Sequence, residues 1–134
     1  MSSGENVELV RGVFAAFAAR DFDAITPMLD PELEIRPAIA GSPEGVVYHG
    51  PEGMREFWTQ VDAVWDEFLI TADEFRDLGA KVLVLGRVHA RGAGSGIVLD
   101  TAGGWLAEVR AGRLIRFESF TSPAAALAAA GIPE

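Results

Sequence analysis

Cysteine is absent from this 134-residue chain, which excludes disulfides, thiolate catalysis and Cys-ligated zinc. Histidine occurs only twice, as His49 and His89. The two share no ligand spacing, and there is no His-x-Glu or His-x-x-x-His, so neither a metal nor a cofactor is expected. No run approaches the roughly 18 apolar residues that a bilayer-spanning helix needs. The opening "MSSGENVELV" lacks a basic region followed by an apolar stretch, so no secretory signal is read and a cytoplasmic location is expected. Basic residues are also scarce: 11 Lys and Arg face 20 Asp and Glu, for a net charge of −9. Such a field repels phosphate backbones, so neither nucleic acid nor membrane is an expected partner. It does not forbid a weakly anionic small molecule, because a local pair such as Arg87 and Arg91 dominates nearby. The glycine-rich "GAGSG" at 92–96 lacks a following helix and a phosphate-loop lysine, and reads as a hairpin connection.

What is present is ordered. With 49% hydrophobic residues, the chain suits one domain with an apolar core. Val7, Val10, Phe14 and Phe17 recur at steps of three and four, one stripe of a helix. Asp21 is placed to cap a second, short helix that ends between Pro27 and Pro31. "ELEIRP" is a short strand with Leu33 and Ile35 on one face and Glu34 and Arg36 on the other. After the loop "AGSPEGVVYHGPEG", a third helix starts near Pro51; its stripe is read from Met54 through Phe57, Trp58 and Val61 to Phe68. The period then changes to two. "FLITADEFRDLG" and "KVLVLGRVHARG" form a hairpin around Leu78-Gly79-Ala80. "SGIVLDTAGGWLAEVR" follows, with Gly103-Gly104 read as a bulge or bend, then "LIRFESF" and an alanine-rich helix ending at Gly131 and Pro133.

Helices first and antiparallel strands second imply an α+β fold, with three N-terminal helices on one face of a curved sheet of four or five strands and a helical tail. The layout, with "FAARDFDAITPML", "YHGPEGMREFW", "RGAGSGI" and "RAGRLIRFESFTSPAAALAAAGI", resembles the SnoaL-like polyketide cyclase family of the nuclear transport factor two-like superfamily. The resemblance covers nearly all of residues 1–134, taken as a single SnoaL-like domain. It implies a cone-shaped, mostly antiparallel sheet wrapped around an apolar pocket. Members include cyclases, isomerases, epoxide hydrolases and pure binding domains, so the fold does not choose among them.

The residues narrow the choice. Arg87, His89 and Arg91 share one face of a strand. If that face is inward, His89 is a general acid or base and Arg87 holds an oxygen. If it is outward, the row is a solvated or subunit-contacting edge paired with Glu108 and Glu118. Arg36 divides the same way, between an inward anion anchor and an outward ion pair. Arg87-Val88-His89 resembles the Arg-x-Asp pair of the epoxide hydrolases with histidine replacing aspartate, and Ser119 falls where those enzymes place a second aspartate; this disfavours epoxide hydrolysis. The tyrosine and two acids of ketosteroid isomerases fall at Val13, Arg36 and Gly104, which run no proton shuttle. Phe14, Phe17, Trp58, Trp105 and Phe117 are expected to line a pocket or the plain core, with Ser119 at the same site and Tyr48 and His49 at a pocket mouth or on the loop surface. A buried indole N–H seeks an acceptor, which favours the pocket for Trp58 and Trp105. The expectation is therefore a protein that binds a small apolar or weakly anionic molecule, with acid/base chemistry at His89 aided by Arg87 and Arg36. A non-catalytic ligand-binding or dimerisation module is the rival. A homodimer is expected if Leu106, Leu114 and Phe120 point outward and need cover.

Overall fold

The computed structural model describes residues 3–38 and 46–132. Helix α1 spans Ser3–Ala19, α2 spans Phe22–Ile25, and a 3-10 turn covers Thr26–Met28 before strand β1, Leu29–Arg36. Strand β2 is Tyr48–His49 and helix α3 is Gly50–Val64. Strands β3 (Trp65–Asp77), β4 (Lys81–Gly92), β5 (Val98–Arg110) and β6 (Arg113–Phe120) follow, and α4 is Pro123–Ala129. The expected α+β class holds, with the sheet six-stranded rather than four- or five-stranded: its order is β2-β1-β6-β5-β4-β3. All pairs are antiparallel except β1 with β6. Most of the loop before Tyr48 and the proline after Gly131 lie outside the described residues.

Local chemistry sets the boundaries. Asp21 caps α2 as expected, its carboxylate accepting from the Ala24 N–H at 3.1 Å, a bond of the kind that stabilises a helix start by about 1 kcal/mol. Helix α3 buries Met54, Phe57, Trp58 and Val61, the i, i+3, i+4, i+7 stripe read from the sequence. Burying each such side chain stabilises the fold by about 1.5–3 kcal/mol. The stripe stops there, because Trp65 has already turned to extended backbone and Phe68 belongs to β3. At the β3–β4 turn Gly79 takes φ +85°, and the Asn6 amide of α1 donates to its carbonyl at 3.0 Å. This bond ties the first helix to the far end of the sheet.

One reading of the sheet needs correction. Gly103 and Gly104 form no bulge: they pair in continuous register with Gly86 and Leu85. Gly104 instead lets α4 come close, since a Cβ there would stand 2.5 Å from the Ala126 Cβ. The extra residue falls at Asp73, between the Ala72↔Gly86 and Glu74↔Leu85 pairs. Gly86 is required opposite it, because a Cβ would lie 1.9 Å from the Thr71 carbonyl oxygen.

Alternation then assigns the faces of the central strands. Val82, Val84 and Ala90 of β4, and Trp105, Ala107 and Val109 of β5, join the main core under α1 and α3. Leu83 and Leu106 face the other way, where Ala126 of α4 meets them, with Leu85 and Phe120 packed against this second cluster. Leu106 and Phe120 do point outward as the dimer argument supposed, but the chain's own helix covers them. Leu114 is fully buried in the main core. None of these three residues leaves a bare face for a partner.

Candidate functional site inside the cone

The aromatic residues meet where α1, α2 and α3 lie over the sheet. Phe14 stands edge-on to Trp105 and Phe117, with ring centroids 5.5 and 5.6 Å apart. Phe17 contacts Trp58 at 5.6 Å. Between these rings is a hollow of about 30 Å³ whose wall includes Phe14, Phe17, Trp58, Trp105, Phe117 and Ser119, enough for one or two water-sized groups. Trp105 and Ser119 also border a second, larger cleft of about 220 Å³, which runs past Phe68, Val88, Leu99 and Thr101. The two spaces share one partition, formed by an indole and a hydroxyl.

Neither space is lined by an acidic, basic or histidine side chain among the described residues. Polar groups there are few. Ser119 is buried, and its hydroxyl can donate or accept. Trp58 is 6% exposed, and its Nε1–H is buried without a hydrogen-bond partner among the described residues. An unpaired buried donor costs about 1–3 kcal/mol, so this nitrogen departs from the usual satisfaction of core polar groups.

The other expected site residues lie elsewhere. Leu83, Leu85, Arg87, His89 and Arg91 alternate with the core positions of β4, so the inward reading of the cationic row is overturned. His89 is 45% exposed, with Nε2 at 3.1 Å from Glu67 and Nδ1 at 3.7 Å from Asp100. Arg87 donates to Asp100 at 3.0 Å. The outward reading holds, with Glu67 and Asp100 as partners in place of Glu108 and Glu118. That hydrogen bond, ahead of the nearby positive charges, holds the Asp100 carboxyl below the ordinary carboxylate range. Arg36 is half-exposed and paired with Glu34; it borders an open groove of about 270 Å³ beside Glu118 that adjoins the cleft through Ala38, Ser119, Phe120 and Thr121. Tyr48 packs against Phe57 at 5.8 Å and borders a separate open groove with Arg55 and Gln60. It does not line the hollow, and His49 is exposed.

Sequence reasoning passed over Met54, Ile25 and Ile70 in the wall of the hollow, and the adjoining cleft beyond Trp105 and Ser119. For Ile70 the signal was present, since Phe68, Ile70 and Ala72 form the apolar side of an alternating strand. The cleft carried none, because small residues such as Gly103 mark a space only once their neighbours are placed.

A curved sheet closed over an aromatic hollow by N-terminal helices is the nuclear transport factor two-like architecture. Within it the match is specific: residues 10–117 fit the SnoaL-like domain model, and the chain belongs to that family. Similar solved structures include a nuclear transport factor two-like protein of unknown function from Burkholderia pseudomallei, 24% identical over 92% of this chain and 95% of that one, with a TM-score of 0.78. TerC, co-crystallised with polyporic acid, is 23% identical over 90% and 94% of the two chains, TM-score 0.77. A provisionally assigned SnoaL-like polyketide cyclase from Jannaschia is 20% identical over 98% and 94%, TM-score 0.75. At these identities the likeness is one of fold. No curated protein matches the sequence.

Proposed function

We propose that this SnoaL-like protein binds a small, mainly apolar molecule in the space between sheet and helices, and that it acts there as a container and not as an acid/base enzyme. One observation carries the reading: the enclosed space is walled by aromatic and aliphatic side chains, and no ionisable side chain of the described residues lines it. Apolar concavities with a few placed polar groups are the usual form of small-molecule sites. Proton transfer needs a titrating group within hydrogen-bond reach, and His89 is on the opposite face of the sheet. Native mass spectrometry of protein purified from its host tests the proposal. A bound organic adduct is expected, and Val88→Phe, which fills the cleft, should abolish it. An adduct that survives Val88→Phe and disappears in His89→Ala would move the site to the outer face.

A homodimer through that outer face belongs to the same proposal. Beside the area covered by α4, Leu69 and Val98 are 53% and 61% exposed. Leu69 shares β3 with Glu67 and Val98 shares β5 with Asp100, on either side of the Arg87, His89 and Arg91 row of β4. A face carrying both signs is self-complementary under a two-fold axis. Sedimentation velocity should give a dimer that Leu69→Glu converts to monomer; a monomeric parent protein would remove this part.

A further inference from the structure

We propose that the cone selects a neutral ligand bearing a hydrogen-bond-accepting oxygen, anchored by the Trp58 Nε1–H with help from the Ser119 hydroxyl. The inference rests on the container reading above and specifies the chemistry of what is contained. Two independent observations support it.

The first is the orphaned donor. Trp58 sits on the buried stripe of α3, its ring forms part of the wall of the hollow, and its Nε1 has no partner among the described residues. The described residues sharing that wall are nearly all hydrocarbon, with the Ser119 hydroxyl as the other polar side-chain group. A carbonyl, ester or ether oxygen at the end of the hollow satisfies the N–H once the ring yields slightly, because the free nitrogen is sealed from water-sized groups, and so regains the hydrogen bond that folding left unmade. A hydrocarbon ligand would leave it unmade.

The second is the division of space. The hollow of about 30 Å³ admits only the tip of a molecule, and the cleft of about 220 Å³ takes the body. Ser119 borders both. A ligand oxygen pushed past the Trp105–Ser119 partition would therefore meet the serine hydroxyl on the way and the indole at the end. An anion is not matched. Desolvating a carboxylate requires a cation or several donors, but Arg36 lines neither space and is held by Glu34, and Arg87 is held by Asp100 on the far face.

Three probes of similar size separate the possibilities: ethylbenzene, acetophenone and benzoate, titrated calorimetrically into the wild-type protein. Acetophenone should bind about tenfold more tightly than ethylbenzene, the effect of one to two hydrogen bonds to buried donors. Trp58→Phe should bring the two within about twofold while keeping the ethylbenzene affinity, and Ser119→Ala should erode the preference by about threefold. Should Trp58→Phe fail to fold, the Trp58 indole proton of the wild-type protein gives the readout: acetophenone shifts it downfield and ethylbenzene does not. An acetophenone preference unchanged by both substitutions, an indole proton indifferent to the carbonyl, or benzoate bound as well as acetophenone overturns the inference and leaves the container standing. If the folded wild-type protein binds none of the three, the container reading falls and takes the inference with it.

Discussion

His89 and its neighbours show how a set of chemically capable side chains can be occupied with each other. Arg87 lies 3.0 Å from Asp100, and His89 lies between Asp100 and Glu67. All are well exposed, so their attraction is screened by water and salt. The hydrogen bond from Arg87 is the main reason why the Asp100 carboxyl titrates below the ordinary range. Because the folded protein binds that proton less readily than the unfolded chain, the pair favours folding above the usual carboxylate range. The contribution is lost as pH falls through the lowered folded value. The urea stabilities of wild-type protein and Arg87→Gln should therefore differ most near neutrality and converge in strong acid. A difference that is flat across the acid range would refute this account. Trp58 is the contrasting residue: buried, unpaired among the described residues, and facing no charge.

At the scale of elements, an extra residue in β3, Asp73, decides which β3 side chains stand beside the cations of β4. Counted from the Leu78–Ala80 turn without interruption, Asp77↔Val82 and Phe75↔Val84 would continue to Ile70 opposite His89. That pairing would put Ile70 on the outer face beside the histidine, away from the core. The bulge at Asp73 shifts the register, so His89 faces Leu69 and Val88 faces Ile70. Helix identities, the Asp21 cap and the aromatic stripe of α3 were legible in the sequence because each depends on neighbours within a turn or two. The orientation of Arg87 and His89 was not, because Val82 to Leu85 are apolar on both sides and mark neither face of β4 as the inner one, and a one-residue slip exchanges the faces. The apolar start of β4 added no sign, since Val82 and Val84 lie under α1 while Leu83 and Leu85 lie under α4.

The glycines at these points make the element-level claims testable. Gly86→Ala would drive a methyl into the Thr71 carbonyl and should destabilise the protein by about 3 kcal/mol in urea denaturation, at the upper end of overpacking effects. A change under about 0.5 kcal/mol, the scale of an indifferent surface site, would show that the bulge does not need a glycine. Gly104→Ala would push against Ala126. Its expected loss is smaller, about 1–2 kcal/mol, because α4 can lift away. Lifting would expose Leu83 and Leu106, so binding of a hydrophobic dye should rise in Gly104→Ala. A stable variant with unchanged dye binding would mean that α4 does not depend on that close approach.

For the whole molecule, the distribution of charge matters more than its sum. The chain carries a net charge of −9, yet the interior space is lined without charge among the described residues, and the cations nearest to it on the sheet are paired on the outside. The cone thus separates a polar, paired exterior from an interior lined without charge among the described residues, and fold membership alone would not have revealed which side holds the chemistry. Methyl and ring resonances across the protein, followed during titration with acetophenone, test this separation most directly. Val13, Ile25, Ile70 and Val88 should shift together while the ring protons of His89 stay in place. Shifts confined to His89 and Leu69, with the interior methyls unmoved, would contradict it.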